Sequence, residues 1–125
     1  MTVNPEQFKF LYQQFENTHD LNVLGESGYS KGWMQWADDT GVLQHIRVND
    51  DSRRQGVATN LWNRAQRLAA ERGITAPVHS AERTKEGDAW AKSVGGDLPK
   101  RKNVRYTDGR AGVQVPFDKY EPLPD

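Results

Sequence analysis

The stretch HIRVNDDSRRQGVATNLWNRAQRLAAERG, residues 45–73, passes from a strand pattern through a polar turn into a helix pattern. Ile46 and Val48 alternate with polar residues, which predicts a strand, and apolar residues then recur at helical spacing up to Gly73. A helix that begins beside a glycine presents unpaired backbone N–H groups and the positive end of its dipole. The junction therefore predicts an anion site, with phosphate as the expected ligand.

Length and composition favour one domain. A chain of 125 residues can bury about two-thirds of its unfolded surface, so residues 1–125 are interpreted as a single domain. The chain has no cysteine, which excludes disulfides and thiolate metal sites, and no metal is expected. No apolar run approaches the roughly 18 residues of a membrane helix, and the N-terminus lacks a signal-peptide pattern. We therefore expect a cytoplasmic protein without membrane contact.

Charge is unevenly distributed along a chain whose net charge is zero. Residues 47–110 hold 14 Lys and Arg against 8 Asp and Glu, whereas the two flanks together hold 3 against 9. The central surplus favours a polyanionic ligand. A neutral protein is nevertheless a poor candidate for general nucleic-acid binding, so nucleic acid is not expected, and a small nucleic-acid-binding protein is the weakest alternative.

The remaining segments complete a mixed α/β pattern. Apolar spacing predicts a first helix over residues 5–18, with His19 capping its C-terminus. The further predicted elements are a short strand at 21–24, a hairpin of 33–37 and 42–48, a strand at 74–80, a helix from Thr84 to Val94, and strands at 104–106 and 112–117. Trp62 and Trp90 fall on apolar helix faces and are assigned to the core.

The junction also resembles a known signature. Residues 48–58 look like the acetyl-CoA-binding motif of the GNAT superfamily of N-acetyltransferases, Arg/Gln-x-x-Gly-x-Gly/Ala between a strand and a long helix. Arg53, Gly56 and Ala58 occupy its three defining positions. The resemblance covers roughly residues 33–96 and implies an N-terminally reduced member, similar in residues 81–96 to small GNAT proteins of actinobacteria and their phages.

This resemblance implies a fold, a cosubstrate and a binding site. The fold is a mainly antiparallel mixed sheet flanked by helices, with a V-shaped cofactor cleft between the fourth and fifth strands. The reaction is acetyl transfer from acetyl-CoA to an amine in a direct ternary complex. The residues it assigns to acetyl-CoA are Ile46, Arg47, Val48, Arg53, Arg54, Gln55, Gly56, Val57, Ala58 and Thr59.

Acetyl transfer also needs a proton acceptor. His79 and His45 are candidates because imidazole titrates near neutral pH, and Glu82 is a third. His79 is preferred, since it lies near the end of the predicted fifth strand beside the cleft, while His45 alternates with Ile46 and faces the other side of the sheet. The thioester carbonyl is expected to be polarised by a backbone N–H near Val48.

One position departs from the family pattern. Many GNAT enzymes place a tyrosine four residues before the glycine that closes the last helix, and here that position is Ala91. The departure leaves an alternative, a catalytically inactive acetyl-CoA-binding or protein-interaction module on the same fold. The amine acceptor, a small molecule or a protein, stays open, as does a homodimer. If the chain is phage-encoded, its location is the host cytoplasm.

Overall fold

A five-stranded antiparallel sheet carries two helices. The computed structural model describes residues 8–25, 28–49, 56–102 and 120–124. The elements in chain order are β1 (Lys9–Gln14), β2 (Thr18–Leu24), β3 (Ser30–Ala37), β4 (Leu43–Val48), α1 (Val57–Arg72), α2 (Lys85–Val94) and β5 (Glu121–Pro122). The sheet order is β4-β3-β2-β1-β5, with every pairing antiparallel. The predicted mixed fold, mainly antiparallel with flanking helices, is confirmed.

The core lies between one face of the sheet and α1. Helix α1 contributes the apolar face that its sequence predicts, and the sheet contributes alternate residues of three strands. Its buried members include Tyr12, Leu21, Val23, Met34, Trp36, Leu61, Trp62, Ala65 and Leu68. The hairpin and both central helices are confirmed. Thr84 caps α2 by accepting a hydrogen bond from Gly87 N–H, and Gly73 ends α1 with a left-handed φ of 67°.

The predicted first helix is wrong. Lys9–Gln14 is strand β1, paired along its length with His19–Leu24 of β2. Both Leu11 and Tyr12 are buried, since the strand contributes to both covered faces of the sheet. Consecutive buried residues conceal the two-residue period of a strand, and the spacing then resembles a helix.

His19 consequently has a different role from the predicted helix cap. It is a fully buried residue of β2 that stacks on Trp36, with ring centroids 5.2 Å apart. Burial raises the pKa of Tyr12 to about 12, so its hydroxyl is protonated and donates to His19 Nδ1 at 2.6 Å. His19 Nε2 in turn donates to the Asp38 carboxylate at 2.7 Å. These bonds satisfy the polar atoms of a histidine inside the core.

The predicted strand at 74–80 is wrong except for one isolated bridge. Val78 forms an isolated parallel bridge with Val42, and the rest of the segment is irregular. The predicted strands at 104–106 and 112–117 lie outside the described residues.

Candidate functional site

A V-shaped groove opens along the outer edge of β4. At its apex, Leu43 N–H donates to Val78 O at 2.9 Å and Val78 N–H donates to Gly41 O at 2.8 Å. Beyond this pair the chain after Val78 leads to α2 instead of pairing with β4. The outer edge of β4 is therefore left without a neighbouring strand in the described part of the chain.

Gly41 explains how the apex closes so tightly. Its φ of 78° is in the left-handed region, and a side chain there would collide with the carbonyl oxygen of Ala76. Glycine both adopts this φ without strain and lets the two backbones approach. The turn after β3 therefore fixes where the groove begins.

The groove has two adjoining parts that share Ile46, Thr84, Gly87 and Trp90. The apex end, of about 520 Å³, lies between the first half of β4, residues 79–84 and α2. The helix end, of about 470 Å³, lies between the second half of β4, the first turn of α1 and the start of α2. Together they form a continuous channel that runs along β4.

The helix end presents a cradle of backbone donors. The first hydrogen bond of α1 runs from Asn60 N–H to Gly56 O at 2.9 Å, so the N–H groups of Val57, Ala58 and Thr59 have no acceptor among the residues that the structure describes. Gly56 has a φ of 74° and open space where a Cβ would stand. The first turn contains no acidic residue. These features suit an anion, which the helix dipole also favours.

The edge of β4 adds a second set of backbone groups. Asn49 N–H donates to Lys31 O on the β3 side. In an antiparallel pair this direction alternates, so the N–H and C=O groups of Ile46 and Val48 point outward into the groove. The side chain of Arg47 lies on the sheet face opposite α1, as its alternation with Ile46 requires.

The apex end brings the three catalytic candidates together. His45, His79 and Glu82 all line it, although they come from separate segments. His45 and Glu82 are exposed, whereas His79 is only 4% exposed. Ala91 lines the same space, so the position where many family members have tyrosine does face the groove.

His79 is held on three sides. Its ring stacks on Trp62, with centroids 4.2 Å apart and planes 6° from parallel, and meets the edge of Trp90 at 5.8 Å. Its Nε2 donates to Gly95 O at 2.8 Å, because a carbonyl can only accept, and this fixes Nδ1 as the unprotonated atom of the neutral ring. His79 thereby joins α1 to the second half of α2 and to the glycine that ends it.

Trp90, which the sequence assigned to the core, packs against the core and also lines the groove. It is half-buried, lines both parts of the groove, and donates from its indole N–H to Thr59 Oγ1 at 3.2 Å. This bond ties the start of α1 to α2 across the groove. A signal was available, since tryptophan combines an apolar ring with a polar N–H and often stands where a surface is partly wet.

Arg83 anchors the other wall. Its guanidinium donates to the Asp88 carboxylate at 3.0 Å, to Ser80 O at 2.6 Å and to Pro99 O at 2.8 Å. Hydrogen bonds from Lys92 and Arg83 hold the pKa of Asp88 below its usual value. The groove wall between residues 80 and 88 is thus fixed by a buried, fully engaged cation.

Seven of the ten residues assigned to acetyl-CoA line the helix end: Ile46, Arg47, Val48, Gly56, Val57, Ala58 and Thr59. Arg53, Arg54 and Gln55 lie outside the described residues. Within the described ranges, no group of three His, Asp or Glu side chains is placed to hold a metal ion. None of the helices in those ranges is long and apolar enough to cross a membrane.

Comparison with known proteins gives one family match. The model of the Acetyltransferase (GNAT) family matches residues 7–91, more than half of the chain. A comparison with curated protein sequences gives no significant match.

Solved acetyltransferases share the fold. A ribosomal-protein-alanine N-acetyltransferase from Brucella melitensis biovar Abortus 2308 is 21% identical, with a TM-score of 0.58 over 75% of this chain and 76% of that one. An aminoglycoside acetyltransferase from an uncultured soil metagenomic sample is 22% identical, with a TM-score of 0.53 over 76% and 66%. AAC(6')-Iy, in complex with the bisubstrate analogue CoA-S-monomethyl-acetylneamine, is 17% identical, with a TM-score of 0.55 over 78% and 72%.

Proposed function

Because the chain belongs to the GNAT acetyltransferase family and is an acyltransferase, we propose that it transfers an acetyl group from acetyl-CoA to an amine in the groove along β4. GNAT acetyltransferases use acetyl-CoA as the acetyl donor. The observation that carries the proposal is the continuity of the groove. N–H groups at the start of α1 that have no acceptor among the described residues lead directly to the edge of β4 that has no neighbouring strand among them. The first suits phosphate and the second suits an amide-containing arm.

The phosphate groups of acetyl-CoA are assigned to the helix end. The N–H groups of Val57, Ala58 and Thr59 supply donors there, and Gly56 leaves room for close approach. We propose that Arg53, Arg54 and Gln55, which precede this turn in the sequence, complete the site with positive charge and a side-chain amide.

The pantetheine arm is assigned to the outer edge of β4. Ile46 and Val48 direct backbone donors and acceptors into the groove, which can continue the sheet hydrogen bonding to the amides of the arm. The acetyl thioester then lies toward the apex end, where an outward β4 N–H can polarise its carbonyl. Acetyl-CoA supplies an activated acyl group as a thioester.

The apex end supplies the proton acceptor. The transfer forms a bond between the amine nitrogen and the acetyl carbon, breaks the carbon–sulfur bond, and releases one proton from the amine. His45, His79 and Glu82 line this space, and one of them receives that proton. Ala91 carries no acidic group, so the sulfur takes its proton from water, which is sufficient because a thiolate is a tolerable leaving group near neutral pH.

The class of amine acceptor can be identified with a short panel of amines. The structural relatives include an aminoglycoside acetyltransferase and a ribosomal-protein-alanine N-acetyltransferase, so aminoglycosides and peptides with a free N-terminus are the first acceptors to test. We further propose that residues 1–125 act as one domain in the cytoplasm.

The test is release of CoA thiol from acetyl-CoA, followed colorimetrically with each amine of the panel. We expect thiol release that depends on both the chain and an amine. Acetyl-CoA binding without release for any amine would instead support an inactive acetyl-CoA-binding module. Failure to bind acetyl-CoA at all would contradict the assignment of the groove.

A further inference from the structure

Three polar side chains form a row across the sheet face opposite α1. Asp20 on β2, Gln35 on β3 and His45 on β4 are direct cross-strand partners. They share one face, with neighbouring Cβ atoms about 5 Å apart, whereas Met34 and Ile46, the next residues along β3 and β4, face the core side. The row therefore leads from the groove inward to the middle of the sheet.

The inner end of the row is a buried carboxyl group. Asp20 is 6% exposed and accepts hydrogen bonds from Gln35 Nε2 at 2.9 Å and from the Tyr120 hydroxyl at 3.3 Å. Burial raises the pKa of Asp20, and hydrogen bonds from Gln35 and Tyr120, together with the charges of His45 and His19, oppose that rise. No Lys or Arg side chain of the described ranges forms an ion pair with it. Within the described residues, the carboxylate is therefore stabilised by the neutral donors Gln35 and Tyr120 and by the charges of the nearby histidines.

The outer end of the row is at the groove. His45 lines the apex end, and its ring lies against Trp33 with centroids 5.6 Å apart. Gln35 donates from its amide nitrogen to Asp20 and is the direct cross-strand partner of His45. Its side-chain carbonyl oxygen can accept a hydrogen bond. Gln35 is thus placed to connect the buried carboxylate to the exposed imidazole.

We propose that His45 takes the proton from the acceptor amine, and that Gln35 and Asp20 act as positioning residues that orient its ring and stabilise its protonated form. The inference rests on the function proposed above. His45 accepts the amine proton as the carbon–nitrogen bond forms and later releases it to water, while the departing sulfur takes a proton from water. His79, with its ring packed between Trp62 and Trp90, maintains the groove.

Other charged groups around His45 have to be considered in any pH dependence. Asp20 faces it from β2 and Arg47 lies two residues along β4 on the same face. His79 and Glu82 line the other side of the apex end. Of these, Asp20 is the buried negative charge, so its removal is expected to have the largest effect on the imidazolium.

The test compares four variants of the full chain: His45→Ala, Asp20→Asn, Gln35→Met and Gln13→Met. Gln13 is the matched control, since it is the β1 partner of Asp20 but directs its amide to Gln14 O. Thiol release is measured across pH with the best amine, and acetyl-CoA affinity is measured separately. The titration midpoint of the His45 imidazole is followed by NMR in the free protein, which contains only three histidines.

We expect His45→Ala to lower turnover by about 10²-fold or more, with acetyl-CoA affinity within about twofold of the parent. Asp20→Asn removes a negative charge, so the NMR midpoint of His45 and the rising limb of the pH profile should both move about half a pH unit or more downward. Gln35→Met should move both in the same direction while leaving the charge of Asp20 in place, and Gln13→Met should move neither.

Two results would overturn the inference. One is an active parent protein whose His45→Ala variant keeps its turnover within about threefold. The other is a His45 midpoint that is unchanged in both Asp20→Asn and Gln35→Met, which NMR shows whether or not an active amine is found. If Asp20→Asn does not fold, Gln35→Met decides alone. A parent protein that binds no acetyl-CoA contradicts the proposed function and this inference together.

Discussion

The imidazole of His79 stacks on the indole of Trp62 with ring centroids 4.2 Å apart and planes within 6° of parallel. This contact lies between the groove and α1, so the residue that the sequence favoured as a base has a definite packing role. Since His79 also donates to Gly95 O, its removal affects both packing and hydrogen bonding.

We expect His79→Ala to lower the free energy of unfolding by about 2–4 kcal/mol, from the lost ring contacts and the unpaired Gly95 carbonyl. His45→Ala, which truncates an exposed histidine, should change it by no more than about 0.5 kcal/mol. Urea unfolding of both variants measures the difference. Equal stability of His79→Ala and the parent would contradict the packing role.

A negative charge introduced at the start of α1 tests the phosphate site. A ligand at 100 times its dissociation constant adds about 2.7 kcal/mol of stability, a shift of several degrees in melting temperature for a domain of this size. Gly56→Glu places a negative side chain beside the N–H groups of Val57, Ala58 and Thr59, so acetyl-CoA should no longer raise the melting temperature of this variant.

Gly73→Glu is the control for backbone strain. Gly56 and Gly73 have φ of 74° and 67°, and both have open space for a Cβ, but Gly73 ends the helix that Gly56 begins. Both variants should lose similar stability without ligand, and only Gly73→Glu should keep the acetyl-CoA shift. Loss of the shift in both, or in neither, would argue against phosphate binding at the start of α1.

The buried chain from Tyr12 through His19 to Asp38 should contribute to stability. Tyr12→Phe removes the hydroxyl that donates to His19 Nδ1, leaving a buried polar atom unpaired, and should cost about 1–3 kcal/mol. Tyr29→Phe, at a side chain that is 77% exposed, should cost nothing measurable. The urea midpoint should fall for Tyr12→Phe with an unchanged slope; identical midpoints would show that the bond is not formed in solution.

Asp88 should make stability depend on pH. Because its pKa is lowered in the folded chain by Lys92 and Arg83, its contribution is present above the unfolded pKa of about 3.9 and is lost as the pH falls through the folded value. The difference in unfolding free energy between the parent and Asp88→Asn should therefore be larger at pH 6 than at pH 3.

Asp20 should show the opposite slope. Burial raises its pKa in the folded chain, so it favours folding in acid and loses that advantage as the pH rises through the folded value. Asp20→Asn should become more stable relative to the parent as the pH rises from 3 toward 7. Chemical unfolding at several pH values measures the stability of both variants relative to the parent. A stability difference that changes with pH in the same direction for Asp88→Asn and Asp20→Asn would contradict the opposite pKa shifts of the two carboxyl groups.

Local sequence signals predicted the helices and strands whose ends are marked by capping or turn residues. Thr84 at the start of α2, Gly73 at the end of α1 and the short turn before Leu43 are all encoded within a few residues. The GNAT family was likewise indicated by one short motif in the correct strand-to-helix context, and the family match agrees with it.

Long-range pairing could not be predicted in the same way. Strand β1 depends on β2 and β5, and Tyr120, about 100 residues along the chain, reaches Asp20. A short apolar segment buried on both sides has no clear period, so residues 9–14 resembled a helix. The row from Asp20 to His45 could not be predicted either, because it depends on the register of three strands.

An NMR titration of the ¹⁵N-labelled chain with acetyl-CoA tests the assignment of the groove most directly. If the phosphates bind at the start of α1 and the pantetheine arm runs along β4, the largest amide shifts will be those of Val57, Ala58, Thr59, Ile46 and Val48. Amides at the other end of α1, around Arg72, should change little. Binding that shifts amides elsewhere while leaving these five unchanged would contradict the assignment of the groove to acetyl-CoA.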